Sequence, residues 1–394
     1  MQVLDHDLVP AAQPGLRGDA RAARTERDGR LAGLDVNLSP FTIAWELTRA
    51  CAYACLHCRA DAQPRRDPRE LNTHEGMRLI DQLAGFETRP ILVLTGGDPL
   101  MRRDVFELAA HANERGLRVS LTPTATALPT EARMREARAA GVRRVAFSVD
   151  AAGPEAHDRF RGFRGSFERT LRGIANTRAA GLPLEINTTV CAQNVDELEA
   201  MVPLVRDWGA VQWSLFFLVP TGRGARLPML SAHQHEQVLG WLHDLSAQAP
   251  FDVKATAAPQ YRRIALQRAR GSGRRAIAGA GFRFADGLNR PAAGINDGRG
   301  FMFISHRGDV TPSGFLPLTA GSVHERSPVE IYRWAPLFRR LRNPDALRGK
   351  CGVCEFRKIC GGSRARAYAV TGDYLAPDPS CPYQPARAAG GRNW

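Results

Sequence analysis

Six short apolar runs, partly β-branched, recur along the chain: 41–48 (FTIAWELT), 91–96 (ILVLTG), 117–123 (LRVSLTP), 144–150 (RVAFSVD), 184–190 (LEINTTV) and 211–219 (VQWSLFFLV). Each is of strand length and is followed by a longer stretch whose apolar residues return at helical spacing, at about 73–86, 104–115, 130–140, 167–180, 194–208 and 231–247. Thr73 stands before HEGMRLIDQL as a helix start, and Gly116, Gly141 and Gly181 fall just past helix ends. Strands separated by helices in this way build βαβ units and a parallel sheet. The pattern predicts an α/β fold, a partial (β/α)6 barrel short of the eight-unit form, with functional loops at the C-terminal ends of its strands.

Outside that region the pattern weakens. Residues 1–36 are rich in Ala, Arg, Gly and Asp without a steady apolar period, and are expected to be disordered. Residues 251–300 become Gly-, Ala- and Arg-rich, after which FMFIS and GDVTPSGFLPL read as a small hairpin. The expected organisation is a barrel over 37–255, a connecting segment over 256–300, a cysteine-rich C-terminal extension over 301–385 and a tail over 386–394.

At 394 residues and 44% apolar, the chain can bury one large core with a small module attached. It contains no run of about 20 apolar residues, which argues against a membrane span, and its first 30 residues lack the features of a secretory signal. The expected location is the cytoplasm. There, eight cysteines point to metal binding or catalysis before disulfides. The net charge of +14 comes mostly from Arg spread through helical segments. Without a Lys/Arg-rich run it reads as a solvated surface first, and as a field for an anionic substrate or an acidic electron donor next; a nucleic-acid partner is disfavoured.

Three of the cysteines, Cys51, Cys55 and Cys58, follow the first predicted strand with the spacing C-x3-C-x2-C. Three thiolates saturate three irons of a [4Fe–4S] cube and leave the fourth open to an external ligand. A zinc site with His57 as fourth ligand competes poorly, because His57 adjoins Cys58 and neighbouring side chains seldom converge on one metal.

This stretch resembles the signature of the radical S-adenosylmethionine superfamily, C-x3-C-x-aromatic-C after the first barrel strand, with His57 in the aromatic slot. LTGGDPL at 94–100 resembles that superfamily's Gly-Gly-Glu motif, with Asp98 in place of Glu. The resemblance implies that Gly96 and Gly97 let backbone approach the cofactor and that the Asp98 carboxylate accepts from its ammonium group, although a plain strand-to-helix turn would use the same Gly pair. FSVDAAGPEAHDRFRGFRGSFERTL at 147–171 is similar to the family's fourth-strand segment. It implies Ser148 and Asp150 toward the ribose hydroxyls and Arg161 on the cofactor carboxylate. EINTTV at 185–190 and PTGRG at 220–224 complete the series, with Asn187 and Thr189 as cofactor contacts.

The implied chemistry is reductive cleavage of S-adenosylmethionine at the cluster to a 5′-deoxyadenosyl radical, which takes a hydrogen from a small-molecule or peptide substrate. It calls for a reducing partner such as a flavodoxin or ferredoxin.

Cys351, Cys354, Cys360 and Cys381 form a second group, C-x2-C-x5-C and one distant cysteine. Taken alone, four thiolates fit a structural zinc ribbon or an iron–sulfur cluster equally well. Behind such a barrel the tail resembles the SPASM extension, whose full pattern binds two auxiliary clusters. Two cysteine slots of one of those sites are held here by Ser313 and Arg364, so the resemblance implies one auxiliary [4Fe–4S] cluster on the four tail cysteines. Cys191 is read as an inert buried thiol. Among SPASM relatives, the runs WELTRACAYACLHCRADA, LTGGDPL and HDRFRG look most like the tetrapyrrole-associated branch, which acts on haem and haem d1 precursors. Maturation of a peptide or protein is the alternative, and a zinc-ribbon RNA-binding protein the distant one. No catalytic side chain is assigned from the sequence.

Overall fold

The computed structural model describes residues 34–272 and 294–386. The disordered segment expected at 1–36 lies outside the described residues up to 33, as does the tail from 387.

Ten strands form one sheet: β1 (Thr42–Glu46), β2 (Ile91–Thr95), β3 (Arg118–Leu121), β4 (Val142–Ser148), β5 (Leu184–Val190), β6 (Gln212–Phe217), β7 (Asp252–Thr256), β8 (Phe301–Ile304), β9 (Asp309–Thr311) and β10 (Gly321–Ser322). Their order is β10-β9-β8-β1-β2-β3-β4-β5-β6-β7. Neighbours from β8 through β7 run parallel, and β9 and β10 add antiparallel. The helices between the strands are α1 (Thr73–Leu83), α2 (Val105–Glu114), α3 (Glu131–Ala139), α4 (Pro154–Arg161), α5 (Ser166–Ala179), α6 (Leu198–Asp207), α7 (Ala232–Gln248) and α8 (Gln260–Ser272). The C-terminal part adds α9 (Pro328–Trp334), α10 (Pro336–Arg342), α11 (Gly349–Val353) and α12 (Arg364–Thr371).

All six expected strands and the six expected helices form, but the parallel sheet is longer than six units. β7 pairs in parallel with β6, so the boundary drawn at 255 falls inside a strand. Its sequence, DVKAT, hides the strand because only Val253 is buried in the apolar core, with Ala255 packed against it, while Lys254 and Thr256 face a cavity. β8 does form the expected hairpin with β9, and its other edge pairs in parallel with β1. Helix α1 begins at Thr73, but its cap is Asn72, whose side chain accepts from the Glu75 amide while Glu75 accepts from the Asn72 amide.

Alternation along the strands divides the sheet into two faces. Ile43, Trp45, Leu92, Leu94, Val119, Leu121, Val145, Phe147, Ile186, Trp213 and Leu215 are fully buried in one cluster that includes the inner faces of the helices. Each such side chain contributes about 1.5–3 kcal/mol to the core. The intervening residues, many of them small or polar, with Ile91, Val93 and Phe216 among the larger apolar ones, face a cavity of about 500 Å³ instead. The hydrophobic layer therefore lies outside the curved sheet, and its concave side is left for chemistry.

Candidate active site

β1 delivers the chain at Glu46 into the cysteine loop. The base of that loop is closed by Cys51 donating to the Gln63 carbonyl at 2.8 Å and Gln63 donating to the Arg49 carbonyl at 3.0 Å. Cys51, Cys55 and Cys58 all line the cavity. Each thiol has a donor: the Tyr53 amide 3.4 Å from Cys51 Sγ, the Ala62 amide 3.4 Å from Cys58 Sγ, and Arg161 Nη1 3.9 Å from Cys55 Sγ. Such donors favour thiolate and tune the potential of any iron–sulfur group bound there. Burial pushes the Cys51 and Cys55 thiols up, so a bound metal's charge is what would deprotonate them.

Among the described residues no three Cys, His, Asp or Glu side chains converge on a point that would hold a single ion. Thiolates on one tetrahedral zinc stand only about 3.8 Å apart. A cube whose irons each take one thiolate tolerates wider spacing, and three thiols around one cavity, two buried and one half-buried, suit it.

The glycine turn after β2 docks against the same loop. The Gly97 amide donates to the Thr48 carbonyl at 2.8 Å and the Asp98 amide to the Ala50 carbonyl at 2.7 Å. A Cβ on Gly96, whose φ is +152°, would lie 2.4 Å from the Thr48 carbonyl oxygen, and one on Gly97 2.4 Å from that of Ala50. The two glycines, while lining the cavity, thus first admit the chain's own backbone.

Six of the eight residues expected to touch the cofactor line the cavity: Gly96, Gly97, Ser148, Arg161, Asn187 and Thr189. The two aspartates do not. Asp98 is fully buried, and its carboxylate accepts from the Leu100 amide at 3.1 Å, the Thr124 amide at 3.3 Å and Thr126 Oγ1 at 3.1 Å. It ties together the loops after β2 and β3. Asp150 accepts from the Thr189 amide at 2.8 Å and lies 2.7 Å from Arg161 Nη2, which engages it with the chain's own groups.

Several polar atoms here are buried without a hydrogen-bond partner: Arg161 Nε, Asn187 Oδ1, His57 Nδ1 and His157 Nε2. Orphaned polar groups are costly, and a cluster of them at a cavity marks a place where a polar ligand completes the structure. S-adenosylmethionine, with a carboxylate, an ammonium and two ribose hydroxyls, offers matching partners, so the residues present fit it.

Sequence reasoning missed several supports. Thr124 lies 3.5 Å from Cys51 Sγ and donates to the Gly97 carbonyl at 2.6 Å; Tyr53 donates to the Ala125 carbonyl at 2.6 Å. Arg223, from PTGRG, donates through Nε to the Cys55 carbonyl at 2.9 Å and through Nη1 to that of Ala62 at 3.0 Å. His57 stacks on Phe160 with centroids 4.6 Å apart, and burial brings its pKa down to about 4. Its place in an aromatic slot was the one available signal.

In the tail, Cys351, Cys354, Cys360 and Cys381 line one cleft with Arg263 and Lys350. The Gly362 amide lies 3.4 Å from Cys360 Sγ, and burial pushes that thiol up to about 12. Asp378 fixes the loops carrying Cys360 and Cys381, accepting from the Ser363 amide at 2.6 Å, the Ser380 amide at 3.0 Å and Gln260 Nε2 at 2.7 Å, with Arg366 Nη1 at 3.2 Å. Arg366 also donates to the Phe217, Leu218 and Ala257 carbonyls, joining the tail to the mouth of the barrel. Ser313 is buried on the wall of the main cavity. Arg364 is buried and donates to the carbonyls of Gly362, Tyr374 and Ala376. Neither position offers a thiolate.

Residues 45–205 match the family model of the radical SAM superfamily. The AdoMet-dependent heme synthase of Methanosarcina barkeri is 43% identical over 349 residues, covering 89% of this chain and 98% of that protein. The chain belongs to the radical SAM superfamily. The same organism's Fe-coproporphyrin III synthase is 30% identical over 361 residues, covering 86% of this chain and 87% of its own length. Among solved structures, SuiB of Streptococcus suis bound to S-adenosylmethionine aligns with a TM-score of 0.65 at 15% identity, over 88% of this chain and 78% of SuiB, which speaks for the fold. The same protein bound to its precursor peptide SuiA aligns with a TM-score of 0.64.

As a radical SAM protein the chain is an enzyme of a family that uses a [4Fe–4S] cluster and S-adenosylmethionine, and its resemblance to the haem-associated branch holds. No helix of the described residues is long and apolar enough to cross a membrane.

Proposed function

We propose that this radical SAM enzyme acts on a haem precursor, with Cys51, Cys55 and Cys58 holding the [4Fe–4S] cluster at which S-adenosylmethionine is bound. When bound, the cluster and cofactor supply reductive cleavage and a carbon radical able to take hydrogen from the substrate. The chain's own residues position and shield. Arg161, braced by Asp150, offers guanidinium donors to the cofactor carboxylate, and Ser148, Asn187 and Thr189 offer polar groups from the ends of β4 and β5. Arg223 pins the cysteine loop, and Phe303 and Phe315 close the side of the cavity toward the tail.

The observation that carries the substrate class is 43% identity along 98% of a protein named a heme synthase. Peptide maturation has behind it a 31% identity to the mycofactocin maturase MftC of Mycolicibacterium smegmatis, over 89% of this chain and 83% of that protein, and a likeness to SuiB that at 15% identity concerns the fold alone. The tail cysteines are assigned one auxiliary [4Fe–4S] cluster, electrons come from a flavodoxin or ferredoxin, and the location is the cytoplasm.

The test is anaerobic turnover of the reconstituted enzyme with S-adenosylmethionine, a reductant and iron-coproporphyrin III. Formation of 5′-deoxyadenosine together with haem, read by mass, is expected, and Cys55→Ala should yield neither. Release of 5′-deoxyadenosine with the porphyrin unchanged would sink the haem assignment, and no release from the fully reconstituted enzyme would sink the chemistry. About eight irons per chain are expected; about twelve, or about four with one zinc, would overturn the assignment of the tail.

A further inference from the structure

Arg262, near the start of α8, stands on the wall of the main cavity. Its hydrogen bond is a single one, Nη1 to the Ile295 carbonyl at 3.3 Å. The charged and titratable groups facing it are the Cys360 thiol and a second guanidinium, Arg299; no carboxylate faces it among the described residues. Burial, without a carboxylate to offset it, brings its pKa down to about 10. Two other arginines on the cavity wall are already engaged with carboxylates: Arg59 Nη2 with Glu46 Oε2 at 3.1 Å, and Arg161 with Asp150. The chain also makes room for the guanidinium, since a Cβ on Gly294 would lie 2.6 Å from Arg262 Nη1.

An Arg guanidinium offers five donors in a fixed fork matched to carboxylate geometry, and half-buried Arg262 uses one of them in its hydrogen bond to Ile295. The same cavity is walled by aromatic rings, with Phe216 and Phe315 centroids 6.5 Å apart and the Arg59 guanidinium 4.6 Å from the centre of Phe303. Flat apolar walls beside an unmatched cation suit a planar aromatic ligand that carries acid groups on its edge.

We infer that Arg262 is a specificity-determining residue that receives a peripheral carboxylate of the substrate while the macrocycle lies against Phe216 and Phe315. This rests on the haem-precursor reading and adds to it the group by which the substrate is recognised. It also gives the connection between barrel and tail a role in recognition, because Arg262 sits between the cavity and Cys360.

Binding of iron-coproporphyrin III to the reconstituted enzyme, followed by its absorption band, tests the assignment. Arg262→Gln should weaken binding roughly tenfold to a hundredfold, the range of a lost charge-assisted hydrogen bond, and Arg262→Lys should retain part of it. The tetramethyl ester of the same porphyrin should bind the unaltered enzyme at least about tenfold more weakly than the acid. Acid and ester bound equally well by the unaltered enzyme would overturn the inference even if Arg262→Gln does not fold. So would a folded Arg262→Gln with full porphyrin affinity; if that variant also lost tail iron, the arginine serves the cluster's charge. Failure of the unaltered enzyme to bind the porphyrin at all would instead sink the haem-precursor reading itself.

Discussion

Arg161 Nη2 lies 2.7 Å from Asp150 Oδ2 while its Nη1 reaches to 3.9 Å from Cys55 Sγ. One guanidinium thus links the end of β4 to the cysteine loop and still has a buried Nε without a hydrogen bond. Burial works against ionisation of Asp150, and the Arg161 charge overrides it, holding the carboxyl below its ordinary range. Arg161→Gln should therefore cost about 3–5 kcal/mol of stability by leaving a buried carboxylate unpaired. Adding Asp150→Asn should recover much of that stability without recovering cofactor affinity. Urea unfolding and equilibrium dialysis with S-adenosylmethionine separate the two effects, and unimpaired cofactor binding by Arg161→Gln would contradict the role given to it.

Asp98 supplies a pH signature. Its burial raises the carboxyl pKa from 3.8 to about 6 despite three hydrogen bonds. The folded chain then holds a proton that the unfolded chain releases near pH 4, so this group's contribution is full below that pH and falls as pH rises to about 6. The difference is worth roughly 3 kcal/mol. Asp98→Asn keeps an oxygen for the Leu100 and Thr124 amides and stays neutral, so it should flatten the stability profile between about pH 4 and 6. Fluorescence-detected urea unfolding across that range measures the slope; an unchanged slope in the variant would refute the assignment.

Asp378 is the corresponding anchor in the tail. Replacing it with Ala removes the acceptor for the Ser363 and Ser380 amides and leaves buried Arg366 without its carboxylate. The expected cost is about 3–5 kcal/mol, with iron lost from the tail before the cysteine loop. Iron analysis with electron paramagnetic resonance distinguishes the two sites. Retention of all iron by Asp378→Ala would show that the four tail cysteines hold their geometry without it.

Much of the architecture was readable because apolar runs of strand length and helical periodicity report burial, and burial is what a regular sheet under helices imposes on a sequence. The same rule hid β7, whose cavity-facing residues include Lys254. A strand lining a polar lumen keeps only half of its apolar signal. Motif spacing likewise located the cysteines and the glycine turn, because those residues follow one another along the chain.

The aspartates stand off the cavity wall for a different reason. Asp98 and Asp150 lie in the expected segments, but whether a carboxylate meets a ligand or braces a neighbouring loop depends on partners far away in sequence: Thr124 and Thr126 for one, Arg161 and Thr189 for the other. By itself the sequence determined which elements form and which residue types cluster at the mouth of the barrel, since backbone preference and spacing are local properties. Only the tertiary structure decided which of those side chains face the cavity and that Arg262 stands there without a carboxylate, because burial and charge pairing exist only once distant segments are packed together.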